Sequence, residues 1–304
     1  MPPLRCRDVS SPVEAGIPLA TCCVVAINLV AAVYQFACLD DVATRRWTLD
    51  AYDVLVRGQL FRVATSTFLH GGALHLGMNM LSTVAIGASL ERSVGSTRMA
   101  SYVAWAVPLC GACSCLFALG CSAVTGDSRY ARQPSLGFSG VLFALACSEC
   151  ARCPSATRSV FGLVEVPSRL YPWALLVAMQ LIVSNASFLG HLGGLVVGSL
   201  EAGGFLEWLA PSAEVVAWTD SSRFTTVLRG FTASPADGGA VKRRESGLGD
   251  AAVLVRDLLV FIATLTGLDR IARRARASIT GVCRRSAPAA AVVPSPSFPE
   301  SVCV

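Results

Sequence analysis

Residues 170–200 read LYPWALLVAMQLIVSNASFLGHLGGLVVGSL, a run of 31 residues without a charged side chain. As one α-helix this run would extend about 46 Å, since an α-helix rises about 1.5 Å per residue. That length exceeds the roughly 30 Å hydrocarbon core of a bilayer. The polar tetrapeptide Ser184–Ser187 offers a turn near the middle. The run therefore predicts two short membrane helices, over 170–184 and 188–205.

The composition of the whole chain is typical of a membrane protein. Hydrophobic residues make up 53% of it and charged residues only 15%, whereas soluble domains are about one quarter charged. Further apolar runs lie at 16–38, 73–90, 99–124 and 139–153. The predicted fold is an all-α membrane protein with a bundle of six transmembrane helices. The 16–38 run is too long for a cleavable signal peptide, and we expect it to stay in the protein as a signal anchor.

The pattern of charge and composition divides the chain into three parts. These are a cytosolic N-terminus at 1–15, the six-helix domain at 16–205 and a largely disordered cytosolic tail at 206–304. Within the tail, 232–250 has the composition of a linker. Residues 251–276 combine an apolar segment with several arginines, which predicts a basic amphipathic helix on the membrane surface. A seventh span at 251–268 is the alternative.

The distribution of basic residues predicts the orientation. With both termini cytosolic, 19 of the 25 Lys and Arg residues lie on the cytosolic side, as the positive-inside rule favours. The loop at 40–72 then lies on the lumenal or extracellular side. Because the basic residues are scattered or adjoin membrane segments, we expect no binding of nucleic acid.

Most of the 13 cysteines lie within apolar runs and are expected to pack as small hydrophobic side chains. Cys110 and Cys113 have redox spacing, but they fall inside a span, where packing is the preferred interpretation. Cys147, Cys150 and Cys153 lie at a helix end, where packing or palmitoylation is favoured over metal binding. We predict neither a metal site nor a cofactor.

The chemistry-bearing side chains converge once six spans are assumed. Helices 2, 4 and 6 begin on the same side, so His75, Ser139 and His191 lie at similar depth. Histidine is costly in hydrocarbon and marks a functional site there, and a serine beside it indicates nucleophilic catalysis. Helix 4 is short, about 22 Å. The chain before Ser139 must therefore dip inward without helical bonds, which is tolerated only in buried protein or beside a water-filled cavity.

Small residues surround the predicted Ser139–His191 pair. Gly194 and Gly198 lie on the same helix face as His191, and Gly140 follows the serine. Small residues let helices approach closely, as a Ser–His hydrogen bond requires. Phe143 lies one turn after Ser139, where it can stack on the imidazole. No acidic residue is placed to orient His191, so a dyad is expected rather than a triad.

A second group is predicted to stabilise an oxyanion. His75 and Asn79 lie on one helix face, and both can donate hydrogen bonds to a developing negative charge together with the Ser139 N–H group. Gly137 is assigned to the same oxyanion-stabilising site. The alternative is that His75 and Asn79 bond each other and link helices. For His70, nearer the interface, a structural hydrogen bond is preferred.

These motifs resemble the rhomboid family of intramembrane serine proteases over about residues 16–205. Gly137–Gly140 resembles the nucleophile box, and His70, His75 and Asn79 match the H-x-x-x-x-H-x-x-x-N helix. His191 with its glycines matches the general-base helix. Phe61-Arg62 stands where the family usually has Trp-Arg, which implies that Arg62 supports the site. Gly87, Glu91 and Gly95 match the end of the second helix.

The resemblance is strongest to the eukaryotic endoplasmic-reticulum branch. It implies a multi-pass serine endopeptidase of endoplasmic reticulum or another endomembrane, which cleaves transmembrane protein substrates in the lipid bilayer. Its active site would open to the lumenal or extracellular side, and its tail would recruit a cytosolic degradation partner. One alternative is an inactive, derlin-like client-binding protein, although such proteins typically lack the Ser/His pair. Another is a small transporter, but no internal repeat is evident.

Overall fold

The computed structural model describes residues 16–152, 156–183 and 186–221. Their helices are α1 Leu19–Cys38, α2 Asp41–Arg45, α3 Ala51–Leu55, α4 Arg62–Phe68, α5 Ala73–Ser82, α6 Ala88–Val94, α7 Ser96–Thr125, α8 Arg129–Arg132, α9 Ser139–Arg152, α10 Tyr171–Ile182, α11 Phe188–Ala202 and α12 Ala213–Ser221. The π-helical segment Thr83–Gly87 joins α5 to α6. Short 3-10 turns lie at Ser168–Leu170 and Glu207–Leu209, and the strands are β1 Thr157–Val160 and β2 Val164–Pro167.

Six helical segments follow the predicted order of spans: α1, the continuous α5–α6, α7, α9, α10 and α11. Among the described residues, three of these are long and apolar enough to cross a bilayer alone, namely Leu19–Cys38, Ala73–Val94 and Ser96–Thr125. The helices α9, α10 and α11 have 14, 12 and 15 residues. Each is shorter than the roughly 20 residues of an ideal span.

The 31-residue run is broken where the polar tetrapeptide predicts. Helix α10 ends at Ile182 and α11 begins at Phe188. The Ser187 side chain accepts a hydrogen bond from the Gly190 N–H group (3.2 Å) and so caps the new helix. After α11 the chain bends by 89° before it continues to Thr219.

Helix α9 occupies the centre of the bundle. All ten residues from Val141 to Cys150 are buried, on every face of the helix. Its sequence accordingly lacks the polar face of a surface helix over most of its length. Helix α11 buries one face against α9 and α7, with His191, Gly194 and Gly198 on it.

Buried polar bonds tie the surrounding elements to this core. The Glu91 carboxylate accepts hydrogen bonds from the Ala20 and Thr21 N–H groups (2.8 and 2.7 Å), which joins the end of α6 to the start of α1. The guanidinium of Arg62, 7% exposed, donates to the Thr48 carbonyl oxygen (2.8 Å) and pairs with Asp53 (3.1 Å). Arg62 therefore holds together the loop between α1 and α4.

The described residues are mostly helical, which confirms the predicted fold class, and one loop contains a short β-hairpin. Strands β1 and β2 pair antiparallel and are joined by the three residues 161–163. Phe161 and Gly162 have φ values of 53° and 73°, and the Leu163 N–H group donates to the Val160 carbonyl oxygen (3.0 Å). Positive φ at both positions is typical of a type I′ hairpin turn, where Asn-Gly is the usual signal. The sequence did not reveal the hairpin because Phe161 replaces the small polar residue that normally marks it.

The segment after 205, predicted to belong to the tail, begins with helical structure. Leu206 packs against the core, and α12 contacts α7. The predictions for 1–15, for the linker 232–250 and for the basic helix 251–276 lie outside the described residues. So does Cys153, whereas Cys147 and Cys150 are buried free thiols, which favours the packing interpretation for this pair.

Candidate active site

Ser139 is the first residue of α9, and the chain that leads to it is not helical, as predicted for a segment that dips into the bundle. The Gly137 N–H group donates to the Ser66 carbonyl oxygen (2.9 Å), and Ser135 exchanges two backbone hydrogen bonds with Leu49. Gly137 has a φ of +120°, which L-residues rarely adopt. Glycine at this position therefore permits the sharp entry into α9.

Ser139 and His191 meet across the α9–α11 interface. The Ser139 Oγ atom lies 2.8 Å from Nε2 of His191, and the His191 side chain is buried. The Phe143 ring lies 4.7 Å from the imidazole, tilted by 30°. With the serine hydroxyl donating to Nε2, the neutral imidazole carries its hydrogen on Nδ1.

No partner for the His191 Nδ1 atom is found among the described residues. A catalytic triad would place a carboxylate there to orient the ring. The stacking of Phe143 is the contact that holds the imidazole plane instead. The arrangement has the geometry of a dyad, in which the serine can transfer its proton to His191.

Close approach of α9 and α11 depends on the glycines. A Cβ atom added to Gly194 would overlap the backbone of Gly140, and one added to Gly198 would overlap the carbonyl oxygen of Ala144. A Cβ atom on Gly140 would lie 3.2 Å from the Gly190 carbonyl oxygen. Any larger residue at 194 or 198 would separate the helices that carry the pair.

His75 and Asn79 both face the space beside Gly137. The Gly71 N–H group donates to Nδ1 of His75 (3.3 Å), so the imidazole carries its hydrogen on Nε2. A Cβ atom on Gly137 would lie 3.0 Å from that Nε2 atom and 3.8 Å from Nδ2 of Asn79. The buried Nδ2 has no hydrogen-bond acceptor among the described residues.

This geometry bears on the alternative that His75 and Asn79 bond each other. Their side chains instead converge as two donors on one position next to the entry to α9. An unpaired buried donor costs free energy of about 1–3 kcal/mol. Such a donor is suited to donate a hydrogen bond to a negative oxygen that forms transiently in the same place.

His70 has a structural environment, as preferred from the sequence. Its backbone N–H group and carbonyl oxygen both bond to the Gln35 amide (2.8 Å each), and Nδ1 lies 3.3 Å from the Phe68 carbonyl oxygen. Burial, with a smaller contribution from His75, lowers the pKa of His70 from 6.5 to about 4. The His70 ring, 5.3 Å from that of His75, is therefore neutral at pH 7 and supports its neighbour.

Gln35 was not identified from the sequence, although a signal existed. Thr21, Asn28 and Gln35 recur every seven residues in the apolar run of α1, and all three are buried. Polar residues at such spacing in a span face the bundle interior. The pattern identifies the buried face of α1 but not the partner of each residue.

A small cavity of about 40 Å³ lies against Ser139, His191 and Gly137. About 10–15 Å³ suffices to hold one water molecule, so water has room beside the pair. A larger cavity of about 180 Å³ shares Ser114 and Ser187 with it and has Tyr130 and Gln180 in its wall. The polar lining is the environment in which buried water is stable.

A family model, the Rhomboid domain, matches residues 57–207, a range that contains Ser139, His191, His75 and Asn79. The chain belongs to the rhomboid family. As a rhomboid-family chain with helices suited to crossing a bilayer, it is a membrane protein.

Curated rhomboid relatives match a similar part of the chain. "Rhomboid-like protein 15" of Arabidopsis thaliana is 33% identical over 180 residues, which are 57% of this chain and 42% of the relative. "Rhomboid-related protein 4" of Mus musculus is 35% identical over 146 residues, 48% of this chain and 46% of the relative. "Rhomboid-type serine protease 2" of Yarrowia lipolytica is 27% identical over 187 residues, 60% of this chain and 58% of the relative. The chain spans less than half the length of the first two.

Proposed function

We propose that this rhomboid-family protein is an intramembrane serine endopeptidase. Ser139 is its nucleophile and His191 its general base. The observation that carries the proposal is the 2.8 Å contact between Ser139 Oγ and His191 Nε2. Hydrogen-bond reach between nucleophile and base is the geometric requirement for such a pair. Relatives named as serine proteases add support.

In the first step His191 Nε2 takes the hydroxyl proton while Ser139 Oγ bonds to the carbonyl carbon of the substrate peptide. The negative charge on the carbonyl oxygen is stabilised by His75 Nε2–H and Asn79 Nδ2, which converge beside Gly137. The C–N bond then breaks and the leaving amine takes the proton from His191. Water from the adjoining cavity repeats the sequence on the acyl-enzyme and restores the serine.

The proposed substrates are transmembrane segments of other membrane proteins. The pair lies in a bundle whose helices cross a bilayer, so a substrate must reach it from within or next to the lipid. A derlin-like client-binding function would need neither the Ser139–His191 hydrogen bond nor an Asn79 donor that lacks an acceptor in the described part of the chain. Both features favour catalysis.

The test is cleavage of a panel of transmembrane peptides by the purified full chain in proteoliposomes. We expect Ser139→Ala and His191→Ala to lose cleavage while they keep the wild-type melting temperature. Ser93→Ala is the matched control, because its hydroxyl bonds only the local Leu90 carbonyl oxygen (2.7 Å) in the described part of the chain. Cleavage by a well-folded Ser139→Ala protein would refute the mechanism.

We also propose an orientation with cytosolic termini and an active site that opens to the lumenal or extracellular side, in endoplasmic reticulum or another endomembrane. The excess of basic residues at the termini supports it. A glycosylation sequon inserted near Asp50, in the loop between α1 and α4, should be modified in microsomes. Modification of a sequon placed after residue 222 instead would show the inverse orientation.

The segment after residue 222 is proposed to act in localisation or recruitment rather than in chemistry. Its arginines suit anionic lipid or an acidic cytosolic degradation partner. A chain ending at Ser221 retains α12 and should cleave a model peptide in detergent at the wild-type rate. Its distribution or client choice in cells should change, and loss of detergent activity would contradict this proposal.

A further inference from the structure

The helices that carry Ser139 and His191 run side by side in the same direction. Ser139 contacts His191 across a sequence separation of 52 residues, and Ser148, near the other end of α9, contacts Glu201 across 53. The separation is nearly constant from one end of the interface to the other. The two helices therefore lie in a fixed axial register.

The glycines between these ends bring α9 and α11 together but do not by themselves fix that register. Helix packing normally sets register because side-chain ridges of one helix fit into grooves of the other. Gly140, Gly194 and Gly198 replace those ridges with smooth backbone. Small residues permit close approach in a membrane, where few other forces hold helices together. Directional bonds are needed to prevent sliding.

Such bonds occur at the end of the helices opposite the dyad, in a group that we name the register clamp: Tyr102, Ser148, Arg152 and Glu201. The Ser148 hydroxyl donates to Oε2 of Glu201. The Tyr102 hydroxyl donates to the Ala144 carbonyl oxygen (2.9 Å), and it also lies within hydrogen-bond distance of Ser148 Oγ (2.6 Å). Tyr102 belongs to α7, so three helices meet in the clamp.

Arg152 completes the clamp from the last turn of α9. Its guanidinium donates to the Ser148 carbonyl oxygen (2.7 Å) and to Oε1 of Glu201 (3.3 Å). Both Glu201 oxygens are thus bonded to groups on α9, one to the Ser148 hydroxyl and the other to the Arg152 guanidinium. A slide of α11 along α9 would stretch these bonds.

Glu201 is the single charged residue of α11. Replacing both members of a buried ion pair by apolar residues of similar volume is often neutral or stabilising, because the cost of desolvating two charges is avoided. A partly buried ion pair is therefore weak evidence for stability. Its better-attested use is to specify register between helices.

We propose that Glu201, acting through Ser148, is a positioning residue that sets the Ser139–His191 distance. The inference rests on the proposed proteolytic function. The clamp lies nine residues from Ser139 along α9, about 14 Å at 1.5 Å per residue. A helix is stiff along its axis, so an axial shift at Glu201 reappears at His191. A shift of about 1 Å in a catalytic group can cost about a hundredfold in rate.

The test compares Glu201→Leu with Glu201→Gln in the peptide cleavage assay. The glutamine keeps an oxygen that accepts from Ser148, and it should retain kcat within about threefold. The leucine removes both bonds and should lower kcat by about 10- to 100-fold, with KM within twofold. The melting temperature should change little, because the Arg152 side chain is 34% exposed to solvent and keeps its bond to the Ser148 carbonyl oxygen. A purely structural role would predict that loss of kcat follows loss of melting temperature.

Glu149→Gln is the matched control. Its carboxylate neighbours Ser148 on α9, but it bonds Ser89 (2.8 Å) and Arg158 (2.6 Å) and no residue of α11. This variant should keep kcat within twofold. An equal loss of kcat in Glu149→Gln and Glu201→Leu would contradict the clamp.

Disulfide crosslinking measures the axial register of α9 and α11 independently of catalytic activity. Ser199 Oγ of α11 lies 3.9 Å from Sγ of Cys147 on α9, so Ser199→Cys should form a disulfide with Cys147 on mild oxidation, detected by peptide mass spectrometry. Adding Glu201→Leu should slow its formation, whereas Glu149→Gln should not.

The outcomes separate the two proposals. If the wild type cleaves and Glu201→Leu keeps both kcat and the crosslinking rate, the clamp is refuted and the protease stands. If the wild type cleaves nothing but Glu201→Leu slows crosslinking, the register role stands and the protease fails.

Discussion

Replacing Gly194 by alanine should lower the rate of the proposed cleavage, although no active-site side chain is substituted. The new Cβ atom would lie 2.6 Å from the Gly140 carbonyl carbon and nearer still to its oxygen. Carbon atoms in contact lie about 3.5–4.0 Å apart. The obstacle is backbone, which no rotamer change can move aside. Helix α11 must therefore retreat from α9 by about 1 Å.

The Gly194→Ala substitution should also move His191 away from Ser139. Gly194 lies one helical turn from His191, so the imidazole retreats with the helix. The 2.8 Å bond between Ser139 Oγ and His191 Nε2 would lengthen beyond the usual hydrogen-bond range. We expect kcat to fall about 10- to 100-fold and the free energy of unfolding to fall by about 1–3 kcal/mol, as overpacked cores do.

The assay is peptide cleavage in proteoliposomes, with the melting temperature measured on the same samples. Gly120→Ala is the control, because a Cβ atom on Gly120 of α7 would meet nothing within 4 Å. It should keep kcat and gain slightly in stability, by about 0.5–1 kcal/mol. If Gly194→Ala retained more than half of the wild-type kcat, the argument from close helix approach would be wrong.

Other predictions concern the oxyanion side of the site and His70. Asn79→Ala should lower kcat by about 10²–10³-fold with little change in KM; an unchanged kcat would leave Asn79 only a packing role. Gly137→Ala should also lower kcat, since its Cβ atom would lie 2.7 Å from Cε1 of His75 at a strained φ; wild-type kinetics would contradict the assignment. Because burial lowers the pKa of His70 to about 4, the unfolded chain binds a proton first as pH falls. The free energy of unfolding should thus decrease below pH 6.5, and His70→Gln should flatten the decrease measured by thermal melts between pH 6.5 and 5.

Local patterns predicted much of the fold because they depend on neighbours in sequence. The uncharged run at 170–200 exceeded the bilayer thickness, and its polar tetrapeptide marked the break between α10 and α11. Phe143 follows Ser139 by one turn, and Gly194 follows His191 by nearly one, so helical periodicity alone placed each beside its partner. Because helices 2, 4 and 6 were predicted to begin on the same side of the membrane, Ser139 and His191 were predicted to lie at similar depth and therefore to be able to meet.

The hairpin and the helix at the start of the tail are two features that local sequence patterns did not predict. Strands of four residues are too short to show a clear two-residue alternation of apolar and polar side chains. Phe161 is also not one of the small polar residues that usually indicate a hairpin turn. The segment at 213–221 is helical because it packs on α7, a contact made over about one hundred residues of sequence. At neither place does the local sequence pattern favour a strand or a helix over an irregular loop.

The sequence by itself determined the family motifs, the six helical segments and the pair of residues proposed for catalysis. Tertiary structure alone decided that the Asn79 donor beside Gly137 has no acceptor among the described residues, that Gln35 holds His70, and that Glu201 bonds Ser148. The physical reason is that periodicity specifies which face of a helix is buried but not its axial position against another helix. That position is set by backbone contacts and directional bonds between residues far apart in the chain.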